Sequence, residues 1–197
     1  MEKPEDVMFS PAVKAEQVRL GSREAFEDRD WQTEITDDLR QFLDAIDTFF
    51  FATASADGRP YIQHRGGPPG FLKPIGSHML AFADFAGNRQ YITLGHLKEN
   101  DRAHIFILHY ATQQRLKLWG RARVIEDDAE LMERLVDPSY KVRPQRAIAF
   151  RIEAWDSNCR QHIVARYTEA EIAPAVNQLT QRIKELEEEV ARLKNRV

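Results

Sequence analysis

A single cysteine, Cys159, serves a chain of 197 residues. An internal disulfide is therefore excluded, and so are the usual multi-cysteine zinc sites. This fits a reducing compartment. Long apolar runs are missing too: none approaches the roughly 20 residues that a membrane helix needs. The opening "MEKPEDVMFSPAV" has no apolar stretch behind basic residues, so no signal peptide is predicted. Positive charge is not in surplus. At a formal net charge of −3 the chain is not expected to bind nucleic acid or acidic membranes, which demand clustered Lys and Arg. The Gly-x-Ser-x-Gly elbow, the Walker loop and the dinucleotide fingerprint are absent. The histidines His64, His78, His96, His104, His109 and His162 show no tight metal spacing, so no metal is predicted. A cytoplasmic location without membrane attachment is expected.

What is present is an ordinary globular balance, 43% hydrophobic and 30% charged, long enough for one full core and an appendage. "SPAVKAEQVRLGS" carries helix punctuation: Ser10 caps, Pro11 suits the first helical position and Gly21 ends the turn. "TDDLRQFLDAIDTF" is a second helix, capped by Thr36, with Leu39, Phe42, Leu43 and Ile46 on one face. "EDRDWQ" between them reads as irregular. Six strands follow, "FFFATAS", "YIQHR", "SHMLAFADF", "HIFILHY", "RLKLWGRARVI" and "RAIAFRIEAW". Asp57-Gly58 turns the first hairpin, since glycine tolerates positive φ. A short helix follows "AGNRQ", with Gly87 and Asn88 at its start, and "DDAELMERLV" is another. The fold expected is α+β, a six-stranded antiparallel barrel decorated by helices.

The C-terminus differs. Ile172, Val176, Leu179, Ile183, Leu186, Val190, Leu193 and Val197 recur in steps of four and three, an apolar heptad seam. Thr168 and Glu171 have capping-box spacing. Pro174 is awkward inside such a helix, so its regular part is expected to begin near there. The division predicted is a barrel domain over 1–170 and a coiled-coil-like helix over 171–197. The seam can pack on the chain's own barrel, but strict heptads favour another chain.

Three clusters can carry chemistry. In "HRGGPPG" an arginine stands beside bare backbone. Gln63, His64, Arg65, Gly66 and Gly67 either form a plain loop or let an anion or polar ring edge lie close. In "GNRQ", Asn88, Arg89 and Gln90 offer a helix start and a guanidinium fork to a phosphate, or a solvated turn. In "RLKLWGRAR", Arg115, Lys117, Arg121 and Arg123 leave one face of a strand unless a bulge at Gly120 interrupts the parity. That face meets an anion or water. "WDSNCRQHIVARY" adds Trp155, Asn158, Gln161, His162 and Arg166. Arg160 can lower the thiol pKa of Cys159. Without a second cysteine, Cys159 reads as a packing residue.

In combination, "FFFATASADGRPYIQHRGGPPGFLK", "ADFAGNRQYITLGHLKENDRAHIFI", "RLKLWGRARV" and "WDSNCRQHI" resemble the pyridoxamine 5'-phosphate oxidase-like, FMN-binding split-barrel family, in its order over residues 36–167. "HRGG", "GNRQY" and "NCRQH" resemble a bacterial subgroup of uncertain substrate. The resemblance implies a split-barrel homodimer with FMN in clefts between subunits. It implies that Gln63, His64, Arg65, Gly66 and Gly67 lie along the flavin. It places Arg89 and Gln90, beside Asn88, at the phosphate, and Arg115 and Lys117 where a partner strand reaches the cofactor. Trp155 and Arg166 fall near flavin contacts from the second subunit, and Asn158, Gln161 and His162 near a small-molecule substrate. Three departures stand out. The family's lysine at the end of the flavin strand falls near Pro68, Gln90 replaces a basic residue, and the family's C-terminal Arg-x-His is not reproduced. FMN binding is therefore better supported than oxidation of pyridoxamine phosphate. A flavin carries the electrons itself, so a missing catalytic triad is no objection to an oxidoreductase. The alternatives are a non-catalytic flavin-binding sensor, or a split barrel holding haem or a deazaflavin.

Overall fold

A computed structural model describes residues 3–27, 29–158 and 161–195, with Asn158 described by its backbone only. Two compact units emerge. One is Met1–His109 with Gln114–Arg160, and the other is Tyr110–Gln113 with Gln161–Val197.

The first unit is built on one antiparallel sheet. Its strands are β1 (Thr48–Ala54), β2 (Pro60–Gly66), β3 (Lys73–Pro74), β4 (Met79–Phe85), β5 (Arg102–His109), β6 (Gln114–Ile125) and β7 (Pro144–Asn158), in the order β2-β1-β5-β6-β7-β4-β3. The sheet therefore has seven strands where the sequence predicted six. The additional one, β3, spans only Lys73 and Pro74, opposite Ala81 and Leu80, and is too short to leave a period-two signature.

The remaining elements of this unit are helices: α1 (Pro4–Met8), α2 (Pro11–Arg19), α3 (Glu24–Glu27), α4 (Asp37–Asp44), α5 (Ile92–Glu99) and α6 (Ala129–Leu135). Ser10 and Thr36 cap α2 and α4 as expected, each accepting from a backbone N–H three residues on. Helices α1 and α3 were not foreseen. They flank an aromatic cluster in which Phe9 and Phe26 pack with Trp31.

Alternation sorts the side chains of the sheet. On β1, Phe49, Phe51 and Thr53 point inward while Phe50 and Ala52 are half-buried on the outer face. Ile105, Leu118, Ile148, Phe150 and Phe82 meet them in the core, and Leu39 and Leu43 of α4 close one end. The Phe49 ring stacks on Phe71 at 5.3 Å and meets Phe82 edge-on at 5.1 Å. Each such ring contributes about 2–3 kcal/mol through its burial. Ala147 and Ala149 leave β7 on the opposite face, where Leu131 and Leu135 of α6 pack near Ala147.

The expected irregularity near Gly120 exists, but its extra residue is on β7. Trp119 pairs with Ala154 and Gly120 with Ile152, so Glu153 bulges out and the parity of β6 survives. A Cβ on Gly120 would sit 2.0 Å from the carbonyl oxygen of Arg151. Only glycine admits that approach.

The second unit is dominated by α7 (Glu169–Lys194). Thr168 and Glu171 form the expected capping box. The helix does not wait for Pro174, however, and runs straight through it. Proline removes only the bond to the carbonyl of Ala170, close to an end that the box already secures.

Candidate functional site

The sheet does not close on itself, and its two ends meet through side chains. On β2, Tyr61, Gln63 and Arg65 lie opposite Thr53, Phe51 and Phe49, so they share the inward face. Arg65 Nη1 donates to Asp84 Oδ1 of β4 at 2.5 Å. Arg146 Nε approaches the other oxygen of Asp84 at 3.7 Å and its Nη1 donates to Glu126 at 3.1 Å. Thr93 of α5 donates to Gln63 Oε1 at 3.2 Å and accepts from Arg65 Nη2 at 3.4 Å. Asp84, Thr93 and Arg146 were missed at the sequence level. A lone acid in the apolar run "LAFADF" was the available signal.

This network floors a small hollow of about 50 Å³ whose rim is the segment before α5. There Arg89 has φ 60° and Tyr91 has φ 54°, both left-handed without being glycine. The side chain of Asn88 holds the turn, accepting from the Gln90 N–H at 3.1 Å and donating to Gln90 Oε1 at 3.2 Å. Helix α5 thus begins at Ile92, later than Gly87 and Asn88 suggested, and Tyr91 gives it no side-chain cap. Without a cap from Tyr91, the first-turn N–H groups carry the positive end of the helix. Arg89 is exposed and has no ion-pair partner among the described residues. Counting Arg65, Arg89 and Arg146 against Asp84 and Glu126 leaves one positive charge in surplus. The hollow therefore joins Gln63 and Arg65 with Asn88, Arg89 and Gln90, clusters that lie apart in the sequence.

His64 does not join them. It faces outward, its Nε2 is 2.5 Å from Thr48 Oγ1, and its ring lies edge-on to Phe50. Gly66 and Gly67 have local reasons for lacking a side chain. A Cβ on Gly67 would come within 2.6 Å of the Phe71 ring, and one on Gly66 within 3.2 Å of the His64 ring.

Arg115 and Trp155 line a second hollow, of about 350 Å³, with Asp38 and Phe42. Arg115 Nε is buried there without a hydrogen-bond partner. Trp155 spends its indole N–H on the carbonyl of Glu34 at 2.8 Å and packs against the core. Lys117 lies 3.5 Å from Asp156 and 5.1 Å from the Trp119 ring centroid. Arg121 is held by Asp101 and Glu153, so Lys117 and Arg121 on the cationic face of β6 have their own acids. Beside it on β5, His104 packs on Trp119 at 4.8 Å. Burial, helped by Lys117, pushes its imidazole down to about 4.

Gln161, His162 and Arg166 belong to the second unit. His162 has φ 65°, and the Arg166 guanidinium lies 4.9 Å from the Tyr110 ring centroid. Cys159, Arg160 and the side chain of Asn158 lie outside the described residues. No helix among the described residues is long and apolar enough to cross a membrane.

Comparison with known proteins bears on the family and the fold. The sequence model of one family, described as pyridoxamine 5'-phosphate oxidase, matches residues 35–159. No curated protein matches the chain. Among solved structures, HupZ of Group A Streptococcus is similar at 14% identity and a TM-score of 0.51, over 68% of this chain and 99% of that one. A pyridoxamine 5'-phosphate oxidase-related, FMN-binding protein of Nostoc punctiforme has 13% identity and a TM-score of 0.41, over 60% and 77%. HutZ, a haem storage protein of Vibrio cholerae, has 14% identity and a TM-score of 0.42, over 62% and 93%. At these identities the likeness concerns the fold alone.

Proposed function

The chain belongs to the pyridoxamine 5'-phosphate oxidase family, and from that premise we propose that it binds FMN as a homodimer and works as a flavin-dependent oxidoreductase on a small molecule. The observation that carries the reading is the hollow beside α5. An unpaired Arg89, an uncapped helix start and the side chains of Gln63 and Gln90 converge there. This donor set suits a phosphate monoester. It combines a guanidinium fork with backbone N–H groups, and the carboxylate that lines the hollow, Asp84, is already bound by Arg65.

In this reading Arg89, Gln90 and the first turn of α5 hold the phosphate, and Asn88 keeps their backbone in place. Gln63 and Arg65 orient the chain that leads from it. Arg115, with its free Nε, and Trp155 serve the second hollow, which suits the ring or the substrate. When bound, FMN supplies the redox chemistry, and the protein supplies orientation, electrostatics and exclusion of water. The outer face of β1, β5 and β6 carries Phe50 opposite Phe106, which lies opposite Lys117, with exposed Ile62 on β2. Such an apolar patch suits a subunit interface.

The test is reconstitution of purified protein. Titration with FMN is expected to quench flavin fluorescence to a saturating stoichiometry of about one per chain, and a reduced nicotinamide is expected to bleach the bound flavin. Failure to take up FMN, together with a sharp Soret band on adding haem, overturns the cofactor assignment. Bound flavin that no reductant bleaches overturns the enzymatic part and leaves a sensor.

A further inference from the structure

Helix α7 is long, continuous and amphipathic, and its apolar stripe is uncovered. Ile172, Val176, Leu179, Ile183, Leu186, Val190 and Leu193 are each between 43% and 65% exposed. Seven such side chains in one line on a helix of 26 residues are costly to leave in water. The residue types along the stripe say what covers them.

With Val176 at heptad position a, the a positions are Val176, Ile183 and Val190, and the d positions are Ile172, Leu179, Leu186 and Leu193. Every a residue is β-branched, and the d residues of the last three heptads are leucine. That combination favours two parallel strands, because β-branched knobs at a and leucine at d fit the holes of a parallel dimer. The flanking charges agree. The g positions carry Arg182 and Glu189, and the e positions carry Glu187 and Lys194. In a parallel, in-register pair each g residue faces the e residue five further along the other chain. Arg182 then meets Glu187 of the second copy, and Glu189 meets Lys194 of the second copy. Both pairs are complementary, and two-fold symmetry makes each occur twice. Within one chain Arg182 pairs with Glu185 at 3.1 Å, a contact on an exposed surface. Antiparallel pairing sets valine or isoleucine against leucine in most layers. It keeps only the Arg182–Glu189 type of attraction.

We propose that α7 is an interaction surface for a second copy of this chain, forming a parallel, in-register, two-stranded coiled coil over residues 172–193. This pairing stands on the helix alone and does not require flavin. It adds a tether between copies that is separate from any contact between sheets.

The experiment places single cysteines in the full chain, in a Cys159→Ser background. Leu193 is half-exposed, so the substitution removes no buried side chain. Mild oxidation at micromolar concentration is expected to link Leu193→Cys chains to one another, because like positions face each other only in the parallel arrangement. Glu187→Arg in the same background is expected to lower the linked fraction several-fold by setting like charges together. Adding Arg182→Glu is expected to restore it. No linkage of Leu193→Cys, but linkage when it is mixed with Val176→Cys chains, shows an antiparallel pair and overturns the proposal. No linkage in either case shows that another surface covers the stripe, and overturns it as well. A linked fraction indifferent to Glu187→Arg overturns the register.

Discussion

Arg65 on β2 and Asp84 on β4 join the two ends of the open sheet, with Nη1 of one 2.5 Å from Oδ1 of the other. Both side chains are largely buried, at 13% and 10% exposure. Asp84 also faces Arg146, so removing the acid leaves the largely buried Arg65 without an anion and Arg146 with only the exposed Glu126, whereas removing Arg65 leaves the acid one partner. Asp84→Ala is expected to lower stability by about 3–5 kcal/mol and Arg65→Met by less. Urea denaturation of both variants checks the order, and the reverse order contradicts the arrangement.

Arg89 is exposed and pairs with no acid among the described residues, so its substitution spares the fold. Arg89→Glu is expected to weaken FMN binding about 10- to 100-fold, the loss of a charge-assisted contact or two. Flavin fluorescence titration gives the affinity, and a matching Tm shows that the variant is folded. Unchanged affinity in such a variant removes Arg89 from the phosphate site.

Among the glycines, Gly120 leaves the least room for a side chain, and Gly95 on α5 has open space around it. Gly120→Ala is expected to cost about 3 kcal/mol or more, since the new methyl meets the Arg151 carbonyl and the strands must part. Gly95→Ala is expected to stabilise by about 0.5–1 kcal/mol, because the chain loses less backbone freedom within the helix. Denaturation midpoints of the two variants should move in opposite directions.

His104 makes stability depend on pH in a definite sense. Its imidazole titrates near 6.5 when unfolded and at about 4 when folded. Between these values the unfolded chain binds the extra proton, so stability is full above about 6.5 and falls as pH drops toward 4. The contribution at stake is about 3 kcal/mol. His104→Phe is expected to flatten this part of the profile, read as the difference in unfolding free energy between wild type and variant across pH 4–7. Parallel profiles would falsify the assignment to His104.

Much of the architecture was legible because it rests on local period and punctuation. Phe49, Phe51 and Thr53 alternate, Thr36 and Ser10 stand where caps stand, and Thr168 with Glu171 announces the start of α7. The candidate site was legible only in pieces. Gln63, Arg65 and Arg89 were singled out as residues but grouped by nearness in the chain, so His64 travelled with them. The strand pleat turns it the other way, toward Thr48. The bareness of Gly67 suggested room for a ligand, whereas the Phe71 ring occupies that side. Asp84 stayed unnoticed because an acid inside an apolar strand says nothing of its partner until the sheet curls.

Local pattern along the chain was enough to dictate six of the seven strands, the hairpin at Gly58 and the heptad stripe of α7, because each depends on neighbours a few residues away. Folding alone decided that Arg65 meets Asp84 across the split, that the helix start at Ile92 and the inward face of β2 enclose one hollow, and that Glu153 rather than a residue of β6 takes up the bulge. Those outcomes depend on which strands become neighbours and how far the sheet curls, and packing of the shared core sets both.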